Sequence, residues 1–210
     1  MTQMHEKYYE KRAQVLIKNL NSRHFDAYYC ATKEQALAKA LELIPEGSTV
    51  GWGGALSAQQ IGLIDALNGG NYVTIDRDKA ADPQEREALM KKCLTAQVFV
   101  SGANAISLDG QMVNIDGNGN RVAAIVYGPD SVVVIAGMNK VVDSLEAAVT
   151  RARTVAAPLN KQRFPIQTPC EVNGTCADCK SGICNQILIT RCCKPAGRIK
   201  FVLVGEELGL

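Results

Sequence analysis

The chain has 210 residues, which is enough for one well-buried core or for one core with a small appendage. Its hydrophobic content of 47% and charged content of 21% are ordinary for a soluble globular protein. The 23 basic and 21 acidic residues give a net charge of +2 and form no basic cluster, which argues against nucleic acid or a membrane surface as a partner.

The sequence also indicates the compartment in which the protein works. The amino-terminal residues MTQMHEKYYEKR lack the apolar core of a signal peptide, and the most apolar region, residues 122–138, is interrupted by Gly128-Pro129-Asp130-Ser131. We therefore expect a cytoplasmic protein without a membrane-spanning segment. Eight cysteines in that compartment indicate free thiols or metal ligands before disulfides.

The first elements in chain order are a helix and a strand. Residues 1–22 are predicted to form a polar helix that packs on the outside of the domain or on a second copy of the chain, so a homo-oligomer is one candidate assembly. Its thin apolar stripe consists of Tyr8, Val15, Leu16 and Leu20. Residues 25–31 are short and aromatic, which predicts a strand.

Four further helices are indicated by one capping pattern, in which a short polar residue is followed three positions later by Glu or Gln. The pairs are Thr32/Gln35, Ser57/Gln60, Asp82/Glu85 and Asp143/Glu146. Strands are predicted between the helices at residues 48–53, 71–76 and 98–102. This alternation favours right-handed crossovers and a mostly parallel sheet, and therefore an α/β fold.

The pattern changes after residue 98. Leu108-Asp109-Gly110 and the turn at residues 128–131 are typical of hairpins between consecutive strands, so we expect an antiparallel portion of the sheet in which residues 122–127 are extended. The uniformly apolar run 132–136 predicts a strand covered on both faces. The run 199–206 predicts a last strand that rejoins the main sheet.

The composition shifts again after Pro158. Residues 164–198 contain three of the seven prolines and six of the eight cysteines, which indicates an irregular cysteine-rich lobe. We therefore assign residues 1–163 and 199–210 to an α/β domain and residues 164–198 to the lobe.

The first candidate site is a glycine-rich turn that leaves a strand and opens a helix. Backbone N–H groups at such turns bind anions and phosphates, and the candidates here are Gly53, Gly54 and Ser57. The turn is neither a Walker loop nor a dinucleotide fingerprint, because no Gly-Lys-Ser/Thr follows and the third glycine is missing. A tight turn that only caps a helix is the alternative.

The second candidate is the loop from Asn114 to Arg121. It resembles a calcium loop, but its twelfth position is Ile125 in place of Glu, so we exclude calcium. Arg121 suits two-pronged binding of a carboxylate or phosphate. The alternative is a hairpin connection in which Arg121 pairs with Asp116 or Asp109.

The third candidate is the exit from the next apolar strand, where Lys140 is expected to reach an anion bound at the same edge. A solvated surface lysine is the alternative. The candidate catalytic groups are Asp116, as proton acceptor or orienter, together with Arg121 and Lys140. The full set of ligand-binding candidates is Gly53, Gly54, Ser57, Asn104, Asp116, Asn118, Gly119, Asn120, Arg121, Asn139 and Lys140.

The fourth candidate is the cysteine-rich tail, which contains a C-x2-C knuckle flanked by two more cysteines. Four thiolates at this spacing suit one tetrahedral site for zinc or an iron–sulfur cluster. The ligands would be Cys170, Cys176, Cys179 and Cys184. Reduced or disulfide-exchanging thiols are the alternative, because the spacing matches neither a zinc ribbon nor a ferredoxin run. Cys30 and Cys93 lie on apolar stretches and are predicted to be core residues.

Longer runs of the sequence resemble the lactate-utilisation (LUD) domain family, and in particular its shorter members with a cysteine-rich tail. The runs are VGWGGALSAQQIGL, SGANAISLDGQMVNIDGNGNR, VVVIAGMNKVVDSLEAAVTRARTVAAPLN, TPCEVNGTCADCKSGICN and GRIKFVLVGEELG. The resemblance implies a fold similar to the ribose-phosphate isomerase, glucosamine-phosphate deaminase and CoA-transferase group. It also implies a link to the oxidation of L-lactate to pyruvate, beside iron–sulfur subunits of a lactate-oxidising complex.

Taken together, the sequence predicts a protein that binds a small anionic metabolite at the carboxyl edge of its sheet. One alternative is a non-catalytic redox or assembly subunit, which carries a four-cysteine metal site or docks on an iron–sulfur partner. A sugar-phosphate isomerase, by analogy with the fold relatives, is the other alternative.

Overall fold

The structure is a computed structural model that describes residues 2–180 and 182–210. In that part of the chain the α-helices are α1 (Gln3–Ser22), α2 (Lys33–Glu42), α3 (Leu56–Gln60), α4 (Leu63–Gly69), α5 (Pro83–Lys92), α6 (Asn120–Val126), α7 (Leu145–Arg151), α8 (Ala157–Lys161) and α9 (Pro169–Asn173). The strands are β1 (Asp26–Cys30), β2 (Thr49–Gly53), β3 (Val73–Ile75), β4 (Val98–Gly102), β5 (Ala105–Ser107), β6 (Met112–Asp116), β7 (Ser131–Gly137), β8 (Val141–Val142), β9 (Gln186–Thr190) and β10 (Ile199–Val204). Among these described helices, none combines the length and the apolar character that a bilayer crossing requires.

The centre of the molecule is a parallel sheet with the strand order β1-β10-β7-β4-β2-β3. Every neighbouring pair in it is parallel. The last strand, β10, inserts between β1 and β7, with Phe201 opposite Val134. The predicted mostly parallel sheet and the return of the final strand are both confirmed.

A second, smaller sheet carries the antiparallel portion and has the order β8-β5-β6-β9. β6 runs antiparallel to β5 and to β9, and the predicted hairpin at Asp109-Gly110 joins β5 to β6. β9 comes from the segment that we expected to be irregular, so residues 186–190 of the cysteine-rich region are ordered by pairing with β6. The outer boundaries of the cysteine-rich lobe stay a prediction.

Both faces of the main sheet are covered, because alternate residues of each strand point into different cores. In β7, Val132 and Val134 belong to the core under α1 and α6, whereas Val133 and Ile135 belong to the core under α2, α3 and α4. Burial on both faces explains why the run 132–136 is apolar at every position, and it confirms that prediction.

The buried stripe of α1 differs from the predicted one. Its buried residues are Tyr9, Ala13, Leu16 and Leu20, whereas Tyr8 and Val15 are half exposed. The observed set repeats every three to four residues and so lies on one face of a helix, which the predicted set does not. Ala13 is small, so a stripe chosen from the larger apolar side chains does not include it.

Residues 120–126 form α6 and not the extended run that we predicted, so the turn at residues 128–131 links a helix to a strand. The helix starts here because Asp116 supplies acceptors for its first N–H groups. Oδ2 of Asp116 accepts from the backbone N–H of Arg121 at 2.9 Å and from that of Val122 at 3.1 Å. These bonds satisfy donors that would otherwise lack partners at a helix start.

Two of the predicted helix caps are confirmed. Thr32 accepts a hydrogen bond from the N–H of Gln35 at the start of α2, and Asp82 accepts one from Glu85 at the start of α5. Pro83 occupies the first turn of α5, where its missing N–H costs nothing.

The other two predicted caps are wrong. Ser57 lies inside α3, where its side chain is buried. α7 is capped by Ser144, whose Oγ accepts from the N–H of Ala147 at 3.2 Å, and not by Asp143. Asp143 instead forms an ion pair with Arg12 of α1 at 2.7 Å.

The helix that starts with α7 continues through Pro158. A π-helical turn at Ala152–Ala156 joins α7 to α8, and Pro158 stands in the first turn of α8. The wider π turn and the position in a first turn both remove the need for a proline N–H.

The capping assignment at α7 can be tested with two neighbouring substitutions. Ser144→Ala should lower the free energy of unfolding by about 1 kcal/mol, because the helix start loses its side-chain acceptor. Asp143→Ala should change it much less, because the ion pair with Arg12 is solvent-exposed on the Asp143 side. Urea denaturation of both variants measures the difference, and a larger loss for Asp143→Ala would contradict the assignment.

Candidate functional site

The connections after β2, β3, β4 and β7 all leave the same edge of the main sheet, because these strands are parallel. The chain runs outward from β2 to β3 and then returns to β4 on the other side of β2, so its direction across the sheet reverses there. Open α/β sheets form a crevice at such a reversal, and ligands bind there. The second sheet stands beside this edge, because β5 follows β4 and β8 follows β7.

A cavity of about 360 Å³ lies at this edge. Seven of the candidate residues line it: Gly54, Asn104, Asp116, Asn118, Asn120, Arg121 and Lys140. The candidates outside the lining are Gly53, Ser57, Gly119 and Asn139. Three connections that are far apart in sequence therefore meet at one cavity, and the binding role of their residues stays a prediction.

Arg121 is buried in the wall of the cavity, with 8% of its surface exposed. Its Nη2 donates to Oδ1 of Asn104 at 3.1 Å and to the carbonyl oxygen of Ile115. Burial lowers the pKa of this guanidinium, and the charge of Asp116 opposes that shift. The alternative for Arg121 was an ion pair with Asp116 or Asp109, and among the described residues its guanidinium pairs with neither. Within the same residues, Nε and Nη1 donate no hydrogen bond.

Asp116 is fully engaged with the backbone. In addition to the two N–H groups of α6 on Oδ2, its Oδ1 accepts from the N–H of Gly117 at 2.9 Å. Three backbone donors on one carboxylate hold it in place. These contacts support the role of orienter for Arg121, and they leave the role of proton acceptor without support.

The glycine turn after β2 packs directly against Arg121. A Cβ on Gly54 would lie 2.5 Å from Nη1 of Arg121, and the φ of Gly54 is +59°, in the left-handed region. A Cβ on Gly53 would lie 3.1 Å from the ring of Phe99. Close packing therefore accounts for both glycines, and any side chain at position 54 would displace the guanidinium.

Lys140 is buried, with 4% of its surface exposed, so the alternative of a solvated surface lysine is wrong. Its Nζ donates to Oγ of Ser57 at 3.1 Å and to the carbonyl oxygen of Ala103 at 3.0 Å. Burial, followed by the charges of Arg151 and Arg121, lowers the pKa of Lys140 to about 7. A large share of the amine is therefore neutral at physiological pH.

The segment after β10 lies across the same edge. Asn139 anchors it, because Oδ1 accepts from the N–H of Leu208 at 3.1 Å and Nδ2 donates to the carbonyl of Leu208 at 3.4 Å. A Cβ on Gly209 would lie 2.5 Å from Nζ of Lys140 and 2.7 Å from Oγ of Ser57. This segment covers Ser57, whereas Lys140 still contributes to the cavity wall.

Sequence reasoning missed several basic residues of the site. Arg77 is the second residue after β3, so its position at the carboxyl edge of the sheet is a usable signal. Arg151 projects from α7 and donates to the carbonyl of Asn104 at 2.5 Å, which no local pattern marks. The missed basic residues in the cavity lining are Arg77, Arg86 and Arg163.

The four cysteines of the tail are close enough to influence one another. Burial first, and then the thiols of Cys176, Cys170 and Cys179, raises the pKa of Cys184. In the described part of the chain, however, no three His, Cys, Asp or Glu side chains are arranged to hold a metal ion. The metal site therefore stays a prediction.

Comparison with known proteins gives a family and a fold. A family profile described as LUD domain matches residues 13–204. No curated protein matches the sequence. The crystal structure of a DUF162 family protein from Deinococcus radiodurans matches with a TM-score of 0.55 and 10% identity, and the match covers 93% of this chain and 97% of that one. This match confirms the α/β fold class.

A second solved structure matches more distantly. It is the 5-methylthioribose 1-phosphate isomerase from Pyrococcus horikoshii OT3, with 15% identity, a TM-score of 0.38, and coverage of 76% of this chain and 51% of that one. A score this low carries no argument about the fold or the chemistry of this protein.

Lys140 should make stability depend on pH. Its pKa is 10.5 in its ordinary state and about 7 in the folded protein, so between these values unfolding takes up a proton and the free energy of unfolding rises with pH. Between about pH 7.5 and pH 10, the parent should gain about 1.4 kcal/mol per pH unit more than Lys140→Met. The neighbouring Arg121 and Arg151 stay charged across this range and leave the difference unchanged.

Chemical denaturation of both proteins at several pH values measures the two slopes. Any constant offset from the lost hydrogen bonds to Ser57 and Ala103 does not affect a slope. Parallel pH profiles would show that the Lys140 amine is an ordinary ammonium in the folded protein.

Proposed function

Because the chain belongs to the LUD domain family, we propose that it binds a small anionic metabolite in the cavity at the carboxyl edge of its main sheet. The metabolite is a carboxylate connected with the oxidation of L-lactate to pyruvate. The protein works in this role beside iron–sulfur subunits of a lactate-oxidising complex.

The charge of the cavity supports an anionic ligand. Its basic lining residues are Arg77, Arg86, Arg121, Lys140 and Arg163, and its acidic ones are Asp78 and Asp116. Asp78 already pairs with Arg86 at 2.9 Å, and the carboxylate of Asp116 is occupied by backbone N–H groups. The lining therefore has an excess of positive charge that its own carboxylates do not neutralise.

The contacts of Arg121 are the observation that carries the proposal. One edge of its guanidinium is fixed by Asn104 and Ile115, which sets the orientation of the whole group. Its Nε and Nη1 have no hydrogen-bond partner among the described residues, although the side chain is almost completely buried. A buried guanidinium is costly without an anion. Both hydrogens of Nη2 are in use, so a carboxylate in the cavity would accept a charge-assisted hydrogen bond from Nη1 or from Nε.

The size of the cavity favours a small ligand. A volume of about 360 Å³ is at the lower end of the range for ligand pockets. It suits a compact carboxylate better than a dinucleotide, in agreement with the missing dinucleotide fingerprint in the glycine turn.

The anion site can be tested by thermal unfolding with L-lactate, pyruvate and ribose 5-phosphate at constant ionic strength. A ligand that binds only the folded state raises its stability by about 2.7 kcal/mol at a hundred times its Kd. Arg121→Lys should lose most of this stabilisation, because lysine keeps the charge but not the planar group held by Asn104 and Ile115 or its free Nη1 and Nε donors.

Arg198→Lys is the matched control, since Arg198 is also buried but its nitrogens all donate to backbone carbonyls outside the cavity. It should unfold at a lower temperature than the parent yet keep the full ligand-induced shift. The proposal is wrong if no anion stabilises the parent, or if Arg121→Lys responds like the parent.

The close grouping of the four tail cysteines favours a second candidate function, a redox or assembly subunit with a metal centre. Two ion pairs attach the surrounding segment to the domain: Lys161 with Glu171 at 3.0 Å, and Arg153 with Asp178 at 2.5 Å. Four thiolates suit zinc or an iron–sulfur cluster.

Elemental analysis and a visible absorption spectrum of anaerobically purified protein distinguish the outcomes. Iron with charge-transfer bands supports a redox or assembly subunit, and about one zinc per chain indicates a structural site. Exchange of Cys179 for Ser should then reduce the metal content, whereas Cys192→Ser should not. Protein without metal that retains all its thiols would rule this candidate out.

A further inference from the structure

Lys140 differs from the other buried lysine of the described chain in its partners. Lys161, with 1% of its surface exposed, pairs with Glu171 at 3.0 Å and donates to the carbonyl of Phe164 at 2.9 Å. Lys140 is similarly buried, but among the described residues no carboxylate pairs with it. A carboxylate partner favours the charged form of a buried lysine, whereas burial without such a partner disfavours it.

The hydrogen bonds of Nζ leave one position of the amine uncommitted. Two positions are occupied by donation to Ser57 and to the carbonyl of Ala103. An ammonium would have a third N–H without an acceptor in this environment, whereas a neutral amine has its lone pair there. Because Lys140 lines the cavity, that lone pair belongs to a group in contact with the ligand space.

The surrounding charges act in the same direction. Arg121 and Arg151 are the cations that disfavour protonation of Lys140, from α6 and α7 respectively. A lysine that is desolvated and placed next to cationic groups becomes a nucleophile at neutral pH. Lysine amines of this kind attack carbonyl carbons to form Schiff bases.

We infer that the Lys140 amine condenses reversibly with a small 2-oxo carboxylate, whose carboxylate group is bound by Arg121. This inference rests on the anion site proposed above and names the chemical class of its substrate. Arg121 and Lys140 line one cavity, and a molecule with a carboxylate next to a carbonyl offers a matching group to each. L-lactate has no carbonyl beside its carboxylate and therefore binds without condensation.

The step balances without an added oxidant or reductant. The Nζ lone pair forms a bond to the carbonyl carbon, and the electron pair of the C=O bond moves to oxygen. One proton passes from nitrogen to that oxygen, through solvent in the cavity, to give the neutral carbinolamine. A proton from solvent then lets water leave, and the product is a protonated imine whose positive charge faces the bound carboxylate.

Reductive trapping tests this inference. The full-length protein is incubated at pH 7 with pyruvate and sodium cyanoborohydride, whose hydride reduces the imine to a stable secondary amine, and the adduct is located by peptide mass spectrometry. One adduct per chain is expected, on Lys140. Its yield should exceed that at the exposed Lys91, which pairs with Glu87, by more than about tenfold, because a desolvated lysine beside cationic groups is the better nucleophile.

Three controls define the result. Lys161 is an internal control, because it is buried but paired with a carboxylate and should stay unmodified. Methyl pyruvate, which lacks the charged carboxylate, should label Lys140 less, and an excess of L-lactate should suppress labelling by pyruvate. In Lys140→Met, whose folding is checked by thermal unfolding, the adduct should be absent.

The experiments distinguish failure of this inference from failure of the proposed anion site. If L-lactate and pyruvate stabilise the parent but Lys140 is unlabelled, or is labelled no more than Lys91, the amine is not a nucleophile and the anion site stands. If neither anion stabilises the parent and no adduct forms, both proposals are overturned.

Discussion

The site depends on the buried guanidinium of Arg121, because this one group contacts both sheets and the connection between them. Its Nη2 reaches the carbonyl of Ile115 in the second sheet and Asn104 in the connection between the two sheets. Its stem packs against the glycine turn that leaves β2 in the main sheet. One side chain thus contacts all three walls of the cavity, and it does so because Asp116 fixes the start of α6 from which Arg121 projects.

Close backbone packing at the reversal of the strand order makes these contacts of Arg121 possible. A Cβ on Gly102, at the end of β4, would lie 3.0 Å from the carbonyl of Gly54, at the end of β2. The two connections therefore approach each other without side chains between them, and the guanidinium occupies the space beside them. The glycines serve this packing, and the positive charge of the edge comes from arginine and lysine side chains.

Much of the fold could be predicted because its signals are local. Strand–helix alternation, the hairpin at Asp109-Gly110 and the burial of Cys30 and Cys93 all follow from short stretches of sequence. α6 could not be predicted in the same way. Its apolar residues resemble a strand, and its capping carboxylate is the last residue of β6, so the usual capping pattern does not apply.

The three loops of the site could also be selected from sequence, because each follows an apolar run at a sheet edge. The sequence could not predict which side chains those loops present to the cavity, because that depends on tertiary packing. Ser57 is covered by the segment around Gly209, and Asn139 is used to anchor that segment. Arg151 contributes its charge from α7, which no pattern in the connections indicates.

The charge of Arg121 is one of the causes that lower the pKa of Lys140, after burial and the charge of Arg151. Anion binding at Arg121, as proposed, would therefore be linked to proton uptake by Lys140. A carboxylate bound at Arg121 would offset that repulsion and raise the pKa of Lys140, because an opposite charge favours the protonated form. The same carboxylate would stabilise a protonated imine on Lys140. An anion that carries its own carbonyl would therefore supply both the electrophile and the countercharge for the proposed imine, whereas a phosphate would supply only the charge.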